Sequence, residues 1–340
     1  MKIKELFENT IDWEKFKQGN NFDCSHNELT SLKGAPRNVV GDFYCYTNRL
    51  TSLEGAPEKV GGHFGCHDNR LTSLKGAPPE VDGDFLCSYN QLTSLEGAPQ
   101  KVNGDFLCSD NKLTSLEGGP QEVSRDFDCF NNRLTSLEGA PRKIGGNFYC
   151  GGNQLTSLKG SPREVGGDFY CYNNELTSLE GAPQNVGGDF SCSENKLTSL
   201  KGAPQKVGGH FDCGYNRLTS LKGAPQEVGG DFSCSGNQLT SLEGAPQKVG
   251  GAFYCYKNPI KSLKGIGKNY LKEINEGIDL DYCPIKSHML GLLKVKGLTK
   301  IKFNHNRKVE EILNNHLKTR DLLACQDELI ENGLEEYAQL

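Results

Sequence analysis

Apolar residues recur along this chain every 21 positions, not with the 3.6-residue spacing of a helix. Phenylalanine marks the period at Phe22, Phe43, Phe64 and onward to Phe253, without an insertion or deletion. A cysteine follows two residues after each (Cys24, Cys45, onward to Cys255), and an asparagine three residues after that (Asn27, Asn48, onward to Asn258). Within one unit, Phe43 and Cys45 alternate with Asp42, Tyr44 and Tyr46, the period-2 pattern of a short strand with one buried face. Leu50, Leu53 and Val60 follow in an arc that Gly55 and Pro57 interrupt, leaving no run long enough for a helix. This return arc is predicted to be extended or polyproline-like, with those three residues inward. A fixed repeat of this length buries its apolar residues only against neighbouring copies, so the pattern predicts a solenoid.

Stacking places each asparagine above the last, where its amide can bond the backbone of adjacent coils and satisfy groups that a tight turn would leave unpaired. The Gly61-Gly62 pair before the next strand, repeated in most coils, is predicted to let the backbone turn at positive φ. Val40, Asp82, Asn103 and Ser124 replace the first glycine of the pair in four coils.

Phe-x-Cys-x-x-Asn-x-Leu occupies the places of the leucine-rich-repeat core Leu-x-Leu-x-x-Asn-x-Leu. The string Leu-Thr-Ser-Leu-x-Gly-Ala-Pro-x-x-Val resembles the short-period leucine-rich repeats of secreted bacterial effectors, over about residues 21–263. Two departures stand out: the coil has one residue more, and cysteine replaces the second strand aliphatic. Repeats this uniform, with the tail described below, also resemble leucine-rich-repeat proteins of tailed bacteriophages. The resemblance implies an α/β repeat solenoid, mostly β, with parallel strands on a concave face, extended convex arcs and helical caps at both ends.

Both ends depart from the period. Residues 1–20 carry Ile3, Leu6, Phe7, Ile11, Trp13 and Phe16 among charges, predicting an N-terminal helical cap over the first coil. Twelve regular repeats fill 21–263. Residues 264–306 read as two irregular repeats, because Ile278 to Ile285 copies the shape of Phe253 to Ile260 with Cys283 in the asparagine place. Leu298 to Asn306 then matches the full core motif, and a helical stretch is expected around Ser287–Leu293. From Arg307, Val309, Ile312, Leu313 and Leu317 fall at helical spacing, so 307–340 is predicted as a C-terminal helical cap, with Asp321 capping its last helix and Gly333 ending it.

Composition narrows the class. A net charge of -5 argues against nucleic acid as main partner. Mean hydropathy is -0.57, and no stretch approaches the roughly 20 apolar residues of a membrane span. The first residues lack the apolar core of a signal peptide, so a cytoplasmic location is expected, in a host cell if the chain is phage-encoded. Twelve of the 14 cysteines lie on the ladder, pointing inward, where a free thiol packs like a small hydrophobe. The seven histidines show no zinc-ligand spacing. Neither metal nor cofactor is expected.

Packing fixes Phe, Cys, Asn and Leu, while the outward strand positions vary from coil to coil. Those positions hold Tyr44, Tyr46, His67, Tyr89, Phe130, Tyr149, Tyr170, Tyr172, Tyr215, Tyr254 and Tyr256. Exposed aromatic side chains are enriched at binding hot spots, so these residues are the candidate partner-binding surface. They group around Phe130, Tyr149, Tyr170 and Tyr172, and again at Tyr254 and Tyr256. The residue before phenylalanine is aspartate in most coils (Asp42, Asp84, Asp105, Asp126, Asp168, Asp189, Asp231). A like-charge column must be bonded or neutralised, either by backbone and Ser/Thr groups or by a cation or basic partner. Lys294, Lys296, Lys300 and Lys302 form a candidate basic end patch.

Catalysis finds little support, because a repeated unit does not build a site needing residues found once, and no catalytic residues are assigned. Cys325-Gln326-Asp327 matches the Cys-x-Asp string of effector ubiquitin ligases, but 264–340 is too short for their helical domain. The expected function is a non-catalytic protein-binding scaffold, phage-encoded and acting on a host or viral protein through its concave face. A virion component or glycan-binding surface is the alternative.

Overall fold

The structure, a computed structural model, describes residues 11–340. It comprises two compact units: the first runs to Gln154 and includes Gly160–Pro162, and the second holds Leu155–Lys159 and Arg163–Leu340. In the first unit each coil opens with a short strand at its phenylalanine. These strands pair in parallel with Phe on Phe, from Phe22 to Phe148. From Phe43 to Phe148 the rings stack with centroids 5.3–5.8 Å apart. In the second unit Phe169, Phe190, Phe211, Phe232 and Phe253 repeat the arrangement, and Ile278 and Ile301 extend it into the irregular coils. Phe43, Cys45, Leu50, Leu53 and Val60 are all buried, as are their counterparts in later coils. The inward residues therefore form the interior that the spacing predicts.

The asparagine ladder satisfies the turns. Asn69 Nδ2 donates to the carbonyls of Cys45 at 2.9 Å and Cys66 at 3.2 Å, while its Oδ1 accepts from Leu50 N at 3.0 Å. Each such amide ties two coils together, and from Asn69 to Asn258 the asparagines are buried.

The return arc holds a feature the sequence pattern does not reveal. Two-residue strands such as Lys59–Val60, Glu80–Val81 and Lys101–Val102 form a second parallel ladder within each unit. The predicted role of the Gly-Gly pair is also corrected. Positive φ belongs to the glycine of Gly-Ala-Pro, as at Gly55 (φ 90°) and Gly139 (φ 94°), and neither Gly61 nor Gly62 has it. The pair is glycine because coils approach closely there: a Cβ on Gly61 would lie 2.3 Å from the Val40 carbonyl, and one on Gly62 2.1 Å from Asp42 Oδ1. Where Asp82 stands in place of the first glycine, its N–H reaches the Val60 carbonyl only at 3.4 Å, against 3.0 Å for Gly61 to Val39.

The N-terminal expectation is corrected in its described part; Ile3, Leu6 and Phe7 lie outside the described residues. Trp13–Phe16 is a single 3-10 turn, and Lys17–Gln18 runs antiparallel to Asn21–Asp23. Trp13 and Phe16 meet edge to face at 5.8 Å, and Trp13 lies 6.3 Å from Phe43. At the other end the asparagine ladder is dismantled stepwise. Cys283, in the asparagine place, donates its thiol to the Cys255 carbonyl at 3.3 Å. Asn306 instead becomes the N-cap of helix α1 (Arg307–His316), accepting from Lys308 and Val309. From α1, Asn314 bonds both the N–H and carbonyl of Ile301, and Glu310 accepts from Phe303 N. The open edge of the last strand is thereby closed against further pairing. Helix α2 (Leu322–Glu331) starts at Asp321, whose carboxylate accepts from Ala324 N, and ends before Gly333 at φ 72°.

Candidate interaction surface

With Phe and Cys inward, the residues between them point out from the strands. In the first unit Tyr44 and Tyr46 lie 5.9 Å apart, Tyr46 stacks on His67 at 4.4 Å, and His26 meets Tyr46 edge-on at 5.3 Å. Gly65, between them, leaves room: a Cβ there would touch the Tyr44 ring at 2.9 Å. This four-ring cluster is clearer in space than in sequence, and His26 joins it from a position that reading passed over. Burial lowers the pKa of His67, whose Nδ1 has no partner, and with neighbouring Asp42 it raises Tyr44 to about 12. Phe130 and Tyr149 are half-buried elsewhere on the same unit.

In the second unit Tyr170 and Tyr172 lie 6.1 Å apart, beside a cavity of about 270 Å³ lined also by Asp189, Ser191, His210 and Asp212. The Tyr170 hydroxyl donates to Asp189 Oδ2 at 3.3 Å. Farther on, the Tyr215 and Tyr256 hydroxyls meet at 3.3 Å across the intervening coil, where Gly236 sits beneath the Tyr215 ring. That bond, then burial, raises the Tyr256 pKa to about 12. Tyr254 lines a second cavity of about 300 Å³ with Glu276, Asp279, Thr299, Lys300 and Lys302.

Tyr89 and Tyr215 sit in the left-handed region at φ 54° and 52°, and remain 61% and 48% exposed. That conformation costs an L-residue roughly 1–2 kcal/mol; every coil adopts it at this place, with Gly, Asn or Asp in six coils and His26, Thr47, Glu194 and Lys257 in four others. Neither burial nor backbone geometry asks for tyrosine at these two points.

The aspartate column is a second side-chain ladder. Oδ1 of Asp84 accepts from Asp105 N, Asp105 from Asp126 N, and Asp126 from Asn147 N, at 2.8–3.0 Å. In the second unit Asp168 serves Asp189 N, and Asp189 serves His210 N. His63 and His210 take the same role, their Nδ1 accepting from Asp84 N and Asp231 N. Two histidines that look scattered in sequence are therefore members of this ladder.

The four lysines of the end patch are divided. Lys300 and Lys302 flank Ile301 on the last strand, and Lys302 pairs with Asp279 at 3.4 Å. Lys296 instead pairs through its backbone with Glu273 of the return ladder, and Lys294 ends the 3-10 helix Met289–Lys294. All 14 cysteines are free and buried. Burial raises the Cys24 thiol to about 12 and Cys325 to about 11, the opposite of nucleophile activation. Among the described residues no group of three or more His, Cys, Asp or Glu could hold a metal ion, and no helix is long and apolar enough to cross a membrane.

No protein-family model matches the chain, and no curated protein matches it. Among solved structures it is similar to YopM from Yersinia enterocolitica WA-314, with a TM-score of 0.62 and 20% identity, over 78% of this chain and 56% of that one. The chain therefore spans little more than half the length of that protein. YopM of Yersinia pestis, a leucine-rich effector protein, aligns at a TM-score of 0.49 and 17% identity, over 84% of this chain and 88% of its own. The functional domain of InlJ from Listeria monocytogenes aligns at 0.39 and 18%, over 69% and 58%. The fold is a leucine-rich-repeat solenoid.

Proposed function

We propose that the chain is a non-catalytic, protein-binding scaffold whose partner docks on the outward face of the phenylalanine strands, the concave side in solenoids of this kind. The observation that carries this reading is Tyr89 and Tyr215: exposed aromatic rings held in a backbone conformation that disfavours them. The Tyr44–Tyr46–His67 and Tyr170–Tyr172 groups support it, because clustered aromatic rings on one strand face are the composition of binding hot spots. The likeness of the repeats to those of tailed bacteriophages supports a phage-encoded protein in the cytoplasm of an infected bacterium, acting on a host or viral protein.

Affinity capture from host lysate with mass spectrometry tests the reading. A stoichiometric partner should be recovered by the native chain and lost when Tyr170 and Tyr172 are both changed to Ala. Capture that survives removal of all the outward tyrosines would defeat it. Recovery of the chain as a component of purified particles, with no partner in lysate, would favour a virion role instead.

A further inference from the structure

Over four successive coils of the second unit the outward face carries carboxylates without a lysine or arginine, His210 being its one basic side chain. At the four outward positions of the coils of Phe169, Phe190, Phe211 and Phe232 there are five carboxylates (Asp168, Asp189, Glu194, Asp212 and Asp231) and no Lys or Arg. The lysines of these coils lie beyond the turn or on the return arc. Lys201 and Lys222 pair there with Glu180 and Glu243, at 3.1–3.2 Å. The lysine–glutamate pairs thus lie away from the strand face, where the carboxylates stand one coil apart and His210 reaches Asp231 at 3.4 Å. Backbone N–H groups bond these carboxylates but bring no net positive charge. At such separations like charges repel unless a cation approaches.

The cavity beside Tyr170 and Tyr172 is where such a cation fits. It is lined by the Tyr170 and Tyr172 rings, by the Asp189 and Asp212 carboxylates, and by Ser191 and His210. A flat guanidinium can lie against a tyrosine ring while its N–H groups fork onto a carboxylate, and an ammonium can do so as a point charge. Neutral sugar hydroxyls would use the rings but leave the carboxylates uncompensated.

We propose that this face takes an extended basic segment of the partner, with an arginine side chain seated between Tyr170–Tyr172 and Asp189–Asp212. The proposal rests on the protein-binding reading above and names the chemistry of the partner.

One substitution separates charge from structure. Asparagine can keep the Oδ1 acceptor that Asp189 offers to His210 N, as Asn21 does for Asp42 N in the first unit; it removes the charge and makes the Tyr170 hydroxyl an acceptor, where it now donates. The test titrates the full chain with a fluorescent peptide of about ten residues alternating glycine and arginine. A glycine–glutamate peptide and a neutral hexasaccharide serve as the other probes. The arginine peptide should saturate, with affinity falling as salt is raised. Asp189→Asn and Tyr172→Ala should each weaken it about tenfold or more, at unchanged thermal midpoint for Asp189→Asn, and Glu180→Gln should leave it as it was. Equal binding to Asp189→Asn and the native chain, no saturation, or equal binding of either control probe would overturn the proposal. A partner captured through Tyr172 that carries no basic segment would overturn it too while leaving the protein-binding reading intact. Loss of that reading would show instead as capture indifferent to the tyrosines.

Discussion

Replacing Asn132 with alanine probes what holds one coil to the next. Its Nδ2 donates to the carbonyls of Cys108, Cys129 and Phe130 at 3.1–3.3 Å, and its Oδ1 accepts from Leu113 N at 2.9 Å. The Cys108 and Cys129 carbonyls keep a second donor in Asn111 and Asn153. The Leu113 N–H has no such reserve. An orphaned buried N–H costs about 1–3 kcal/mol, and each bond lost to a carbonyl that remains partnered about 0.5–1.5 kcal/mol. Asn132→Ala should therefore destabilise the chain by about 4 kcal/mol. Asn132→Cys should lose less, because Cys283 already shows a thiol donating to a carbonyl from this place. Urea unfolding followed by circular dichroism gives the overall loss, and hydrogen exchange at the Leu113 amide gives the local one, since a repeat array need not unfold in one step. A loss below about 1 kcal/mol, or an unchanged exchange rate at Leu113, would refute the view that the asparagine amides carry the turns.

Other consequences are open to direct measurement. Burial raises the pKa of Asp128, so folding favours its neutral form, and the stability it lends is present at low pH and lost as pH rises through the folded pKa. Asp128→Asn, which can still accept from Phe130 N, should raise the thermal midpoint at neutral pH and leave it unchanged below the carboxylate range; equal effects at both would contradict this. Tyr89→Asn should stabilise the chain by about 0.5–1 kcal/mol in urea, by relieving the left-handed strain, while weakening partner capture; a loss of stability would show that the ring packs usefully after all. The thiols should resist an aromatic disulfide reagent in the native chain and react together on unfolding; rapid reaction of the native thiols would place them outside the interior.

The repeated positions were legible because repetition averages out local accident. Phe43, Cys45, Asn48 and Leu53 recur at one spacing twelve times, with an aliphatic residue at the place of Leu50 each time and at that of Val60 in all coils but the last, and only a shared interior and a shared turn explain that. What was hidden depended on contact between coils. Lys59–Val60 is too short and too close to glycine to read as a strand, yet its ladder forms because stacking aligns it with the same pair in the next coil. The Gly61-Gly62 pair looked like a turn, whereas the constraint is the Val40 carbonyl and the Asp42 carboxylate one coil away. His63 and His210 looked like surface noise until their imidazoles fell in line with the aspartates. The tyrosines were found as variable positions. Their grouping with His26, and the cavity between Tyr172 and Asp212, are three-dimensional facts.

A photo-reactive phenylalanine analogue placed at Tyr172, and separately at Lys206 on the return ladder, tests the binding face most directly when the chain is expressed in bacterial cells. A single covalent adduct from position 172 and none from 206 is the predicted result. Adducts only from 206, or from neither position, would contradict a partner seated on the phenylalanine strands.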